Sequence, residues 1–265
     1  MPLRTVLQII AMISMAVDHI AVVYIGNAPV LRCIGRAAFV IYAFEVMESV
    51  YRLESDRTGK IANYLGALFA VAVISEPLYD MMHYDLVGFG EMALTDQNVI
   101  FTLFICACAS AFWDRVDWTF GVIGWGAAMA AVALCDTEFG LVGVWLCLAY
   151  HISIRKKAGG FVPALLYSIA MSVICVYAGI EIWRYLGAFF AAFMILLYHK
   201  KPQFGGPVGN VLANPPWFYK KLYHWFYPVH IFILIYDTAL GYLVMAMAFI
   251  ASWLAWKLPF LSIIT

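Results

Sequence analysis

The sequence predicts an all-α fold, a polytopic bundle of transmembrane helices forming one integral membrane domain over residues 1–265. Three observations predict it. Of the 265 residues, 65% are hydrophobic and only 12% are charged, where a soluble domain carries about 25% charged residues. The apolar residues come in repeated blocks long enough to cross a bilayer, which takes about 20 residues of helix. Most charges gather in the gaps between blocks, and no remaining stretch is able to build a soluble core. The 16 basic and 16 acidic residues cancel, so no global field points to nucleic acid as a partner. The partner that composition does specify is the lipid bilayer.

Ten spans follow, at residues 5–25, 30–50, 61–77, 98–113, 119–135, 140–154, 161–179, 182–199, 219–237 and 241–258. The first block is full length and carries Asp18 and His19, unlike the short core of a cleavable leader. It reads as a retained helix. The positive-inside rule tests the count, because Lys and Arg should collect on alternate loops. Thirteen of the 16 basic residues fall on one face, among them Arg4, Arg52, Lys60, Arg115, Arg155 and Lys200. Both termini are therefore expected on the cytoplasmic side. Two longer connections remain: an acidic external one from Leu78 to Gln97, and a cytoplasmic one from Lys200 to Phe218 rich in Pro and Gly. The first is placed to cap a site; the second reads as a turn or hinge.

The six cysteines lie in apolar runs without CxxC spacing and read as small buried hydrophobes. No HExxH motif or phosphate-binding loop occurs, and no metal site is expected.

Ionisable residues at bilayer depth cost at least a few kcal/mol and mark functional interiors. The set is Asp18, His19, Arg36, Glu45 and His230. At 1.5 Å per residue, Asp18, Arg36 and His230 all fall about 10 Å below the external face. They share a layer. Adjacent helix positions diverge, so Asp18 and His19 do not form a dyad. The physical pairing is Asp18 with Arg36, read either as a structural ion pair or as part of a site, with His19 aimed separately into the bundle as a base or a core histidine. On the ninth span Tyr223, Tyr227 and His230 are spaced by four and three and lie on one face, with Pro228 favouring a kink. Asn98 and Thr102, one turn apart, are able to bond a substrate or a neighbouring helix. Glu76, before Pro77, closes the third span as an exposed carboxylate.

These residues fall in an order that resembles the TraX family of membrane proteins. The pieces are Ile10 to Ile20 with Asp18-His19, Arg32-Cys-Ile-Gly35-Arg36, Ser75-Glu76-Pro77, Gln97-Asn98 to Thr102, Asp136 to Gly143, and Tyr227-Pro228-Val-His230. The family is named for the conjugation protein that acetylates the amino terminus of F-type pilin, and it is similar in outline to membrane acyltransferases with a first-helix histidine. The resemblance implies a multi-pass protein of the bacterial cytoplasmic membrane that uses acetyl-CoA as acyl donor and a peptide, glycan or lipid as acceptor. It implies His19 as the catalytic histidine, with Asp18, Arg36 and His230 beside it. Around these, Asn98, Thr102, Tyr223, Tyr227 and Glu76 are candidates for substrate binding.

Acyl transfer from a thioester needs a base for the attacking amine or hydroxyl and a positive group for the oxyanion. His19 supplies the first and Arg36, if free of Asp18, the second. Cytoplasmic acetyl-CoA then has to reach a layer nearer the other face, so a deep cavity ending near His19 is expected. A proton-coupled transporter or channel using the Asp18, His19, Arg36 and His230 layer is the alternative, and a non-catalytic scaffold a third reading.

Overall fold

A computed structural model of the chain describes residues 2–24, 29–54, 59–84, 96–179, 185–200 and 215–236. Among them the fold is all helical, without a strand. The helices are α1 (Pro2–Tyr24), α2 (Pro29–Glu54), α3 (Lys60–Tyr84), α4 (Val99–Trp113), α5 (Trp118–Leu134), α6 (Gly140–Arg155), α7 (Phe161–Tyr177), α8 (Leu186–Lys200) and α9 (Trp217–Ile235). Each matches one predicted block. The tenth block, at 241–258, and the connections at 85–95 and 201–214 lie outside the described residues.

Helix α3 runs beyond its predicted end at residue 77 and carries Pro77 in its interior. Residues 78–84, read as the start of a loop, are therefore helical. Proline removes one backbone donor, but neighbouring helices let a helix in an apolar medium absorb the loss. The Asn98 side chain donates to the Ala72 carbonyl on this helix at 2.9 Å.

The ends of the helices alternate. Arg4 near the start of α1 donates to Ser49 near the end of α2 at 2.9 Å, and Arg52 on α2 donates to Tyr198 near the end of α8 at 2.6 Å. Arg155, ending α6, pairs with Asp114 just past α4. One end of the bundle thus collects these basic residues. At the other end, Tyr24 on α1 donates to the Leu234 carbonyl on α9 at 3.0 Å, and the Thr102 and Thr137 hydroxyls meet at 2.7 Å.

Helix α2 is the central rod, packed against α1, α3, α4, α6 and α8. Two glycines set its distances. A Cβ on Gly187 would sit 1.9 Å from the Cys33 carbonyl oxygen, and one on Gly35 would sit 2.0 Å from Asp18 Oδ1. Small residues at helix contacts let backbones approach this closely in membranes, where water does not drive helices together.

The outside of the bundle is apolar: Trp118, Ile123, Leu134, Trp145 and Leu166 all stand more than half exposed. Inside lie Asp18, His19, Glu45, Glu76, Asp80 and His230, each at most 9% exposed. Apolar outside with carboxylates and imidazoles inside is the arrangement of a protein solvated by lipid. By length and composition two helices, Leu3–Tyr24 and Lys60–His83, are able to cross a membrane, while α4 to α8 have 10–17 residues. At 1.5 Å per residue, 15 residues reach about 22 Å against a hydrocarbon core of about 30 Å. The all-helical class stands; the count of ten full spans does not follow from these helices alone.

Candidate functional site

Helices α1 and α9 run side by side in the same direction. Tyr219 on α9 donates to the Thr5 carbonyl of α1 at 3.2 Å near one end, and Tyr24 on α1 donates to the Leu234 carbonyl at 3.0 Å near the other. Between these clasps, His19 Nδ1 and His230 Nε2 lie 2.7 Å apart, with the rings nearly parallel. Both imidazoles are buried, at 5% and 6% exposure.

The hydrogens follow from the partners. His230 Nδ1 is 2.7 Å from the Phe226 carbonyl oxygen, which only accepts, so Nδ1 carries the hydrogen and Nε2 is left as an acceptor. His19 Nδ1 must then donate to that Nε2, which leaves the lone pair on His19 Nε2. A carbonyl and one imidazole thus select the tautomer of the other.

The predicted pairing of Asp18 with Arg36 is corrected. Asp18 Oδ2 pairs instead with Arg32 Nη1 at 2.6 Å. Arg32 and Arg36 are four residues apart on α2 and share a face, so either could face Asp18, and the external-end residue holds it. Arg36 lies over the rings of Phe139 and Tyr185, at 5.4 and 5.8 Å. Its Nε has no hydrogen-bond partner among the described residues. Glu138, in the turn before α6, also borders this space. Burial pushes its carboxyl up to about 7, against the lowering pull of Arg36.

Two cavities meet at the site. The larger, about 550 Å³, reaches from Arg4 and Ser49 at the basic end, past Glu45 and Tyr223, to Tyr227. The smaller, about 30 Å³, is bordered by Asp18, His19, Arg36, Glu138 and Tyr227. Met15, Tyr42, Ile100, Leu103 and Tyr227 line both. The single cavity expected to end at His19 is therefore two spaces with a shared wall. Tyr227 sits edge-on to His19 and His230, at 6.0 and 5.7 Å between ring centres, and its hydroxyl has no partner among the described residues.

The remaining predicted residues fall elsewhere. Tyr223 stacks on Tyr42 and donates to the Glu45 carboxyl in the larger cavity. Glu76, read as an exposed carboxylate, is corrected to a buried one at 3% exposure, because α3 continues past it. It accepts from both the backbone and side-chain nitrogens of Asn98. Asn98 also caps α4 through its carbonyl oxygen to the Ile100 amide at 2.9 Å. All its side-chain groups thus join α3 to α4. Thr102 is 2.6 Å from the Glu138 carbonyl and 2.7 Å from the Thr137 hydroxyl, tying the turn before α6 to α4. Neither Asn98, Thr102 nor Glu76 lines either cavity. Sequence reasoning missed Arg32, Glu138 and the contact glycine Gly35, although each lies in a segment that carried the family resemblance.

These features define a class: a helical membrane protein with ionisable side chains gathered inside the bundle. The chain belongs to the TraX family, whose model, described as TraX protein, matches residues 3–236. The probable fimbrial assembly protein FimC, serogroup H1, of Dichelobacter nodosus is 25% identical over 248 residues, covering 86% of this chain and 92% of that protein. No solved structure matches the chain.

Proposed function

We propose that this protein is a multi-pass acetyltransferase of the bacterial inner membrane, moving an acetyl group from acetyl-CoA to an amine or hydroxyl. The acceptor class we favour is a peptide amino terminus such as that of a pilin, in keeping with the relative named as a fimbrial assembly protein. The observation that carries the reading is the hydrogen-bonded chain from the Phe226 carbonyl through His230 to His19. It leaves an unprotonated imidazole nitrogen on a residue that borders a cavity.

In this reading His19 Nε2 takes the proton of the acceptor as its nitrogen or oxygen attacks the thioester carbonyl. His230 Nε2 holds the imidazolium in place by accepting from His19 Nδ1, and positioned bases of this kind are worth about 10²- to 10⁴-fold in rate. The oxyanion forms beside Arg36, which the Asp18–Arg32 pair leaves uncommitted to Asp18. The carbon–sulfur bond then breaks, and the thiolate takes the proton from His19. Asp18 is a positioning residue, through Arg32. The donor enters from the basic end through the larger cavity, and the acceptor approaches from the end that holds Asp18, Asp96 and Glu138. No particular observation favours the transporter reading.

The test is transfer of label from acetyl-CoA to protein, glycan or lipid in membranes containing the full chain. Labelled acceptor with the native protein but not with His19→Ala supports the reading. Proton-driven flux without acylation overturns it.

A further inference from the structure

The larger cavity holds a buried carboxyl that the chemistry at His19 does not use. Glu45 is 3% exposed and lines this cavity midway between Arg4 and Tyr227. Its Oε2 accepts from Gln8 Nε2 at 3.2 Å and from the Tyr223 hydroxyl. Oε1 has no hydrogen-bond partner among the described residues, and neither has Arg4 Nε. A buried carboxyl oxygen without a partner has given up water without a hydrogen bond in return. The cavity thus keeps one unmet acceptor and, toward its mouth, one unmet donor. Around them the wall mixes apolar side chains, Val46, Leu68, Val71, Ile100 and Leu103, with polar ones such as Gln8 and Tyr64.

Such a wall suits an amphipathic chain carrying amide groups. Arg36 borders the smaller cavity with His19, and Glu45 lies nine residues further along α2, about 13.5 Å nearer the basic end. A thioester arm with its acyl carbon beside His19 and its body in the larger cavity has to pass Glu45. We infer that Glu45 is a donor-recognition residue whose Oε1 accepts an amide N–H of a pantetheine-type thioester arm, with Arg4 meeting the polar groups nearer the mouth. This rests on the acetyl-CoA reading above and adds to it the residue that selects the arm. The arm is recognised as an amide-bearing chain, not as a nucleotide.

Calorimetric titration of the purified full chain in lipid nanodiscs tests this, with coenzyme A, pantetheine and adenosine 3′,5′-bisphosphate as the three probes. Coenzyme A and pantetheine should both bind, and Glu45→Ala should weaken each about tenfold, the size of one hydrogen bond to a charged group. Glu45→Gln keeps the size and the Tyr223 contact but turns an amide NH2 toward the ligand, so it should weaken them as much. Its thermal midpoint, near the native value, separates lost binding from lost folding. Pantetheine that fails to bind the native protein, or binds Glu45→Gln as tightly, overturns the inference. The two readings fail separately: Glu45-dependent pantetheine binding without acetyl transfer removes the enzyme and keeps the site, and transfer with binding indifferent to Glu45 does the reverse.

Discussion

Among the described residues, two buried histidines, His19 and His151, each bonded across helices, sit in different surroundings. His19 meets His230 beside the smaller cavity. His151 on α6, at 1% exposure, meets the Ser110 hydroxyl of α4 at 2.9 Å and is closed in by Trp113 and Trp125, with ring centres at 5.2 and 5.6 Å. Both are satisfied and both cross between helices. They differ in surroundings: His151 packs against two indole rings, whereas His19 borders a cavity with Arg36 and a Tyr227 hydroxyl that has no partner among the described residues. Burial and a polar partner make a histidine structural. A free lone pair next to space is what the proposed chemistry at His19 requires.

The largest expected effect sharpens this contrast. His19→Ala should lower acetyl transfer by about 10²-fold or more, while His151→Gln should leave the rate per folded molecule within about twofold. Equal losses in a labelled acetyl-CoA assay would erase the distinction. Next, His230→Phe removes the acceptor that fixes the His19 tautomer, and should cost about tenfold in kcat with the protein still folded. An unchanged kcat would leave His230 as packing only. At the sealed site Ser110→Ala deprives His151 Nδ1 of its partner and should lower stability by about 1–3 kcal/mol, read as the thermal midpoint in detergent, without changing transfer.

The smallest effect concerns Glu138. Its folded pKa of about 7 lies above the usual carboxyl value, so the folded state holds this proton more tightly and loses that stability as pH rises through about 7. Glu138→Gln should therefore match the native midpoint at pH 5 and exceed it at pH 8. A gap that stays constant between the two would remove Glu138 from the titrating groups.

How much of this was legible beforehand depends on the kind of interaction. Apolar blocks register as helices because hydrocarbon leaves the backbone few alternatives, and the shared level of His19 and His230 followed from rise per residue alone. The choice between Arg32 and Arg36 as partner for Asp18 did not, because one turn of α2 separates them on one face and only tertiary packing selects between them. Glu76 was misread because Pro77 resembles a helix end, and its real partner, Asn98, is on another helix. His151 went unnoticed near the end of its block, where an imidazole ordinarily meets the interface. The wall between the cavities has no sequence signature, since it joins side chains of four helices.

Five residues from four helices, Met15, Tyr42, Ile100, Leu103 and Tyr227, border both spaces. Met15 is unbranched and swings about three bonds, and Tyr227 turns about two, so rotamer changes at these side chains are the smallest motion that would join the two spaces. No helix needs to slide for this to happen. Passage from one space to the other should therefore be nearly indifferent to the viscosity and thickness of the surrounding bilayer, which resist helix displacement. A stiff membrane and a fluid one would then load the inner chamber at similar rates.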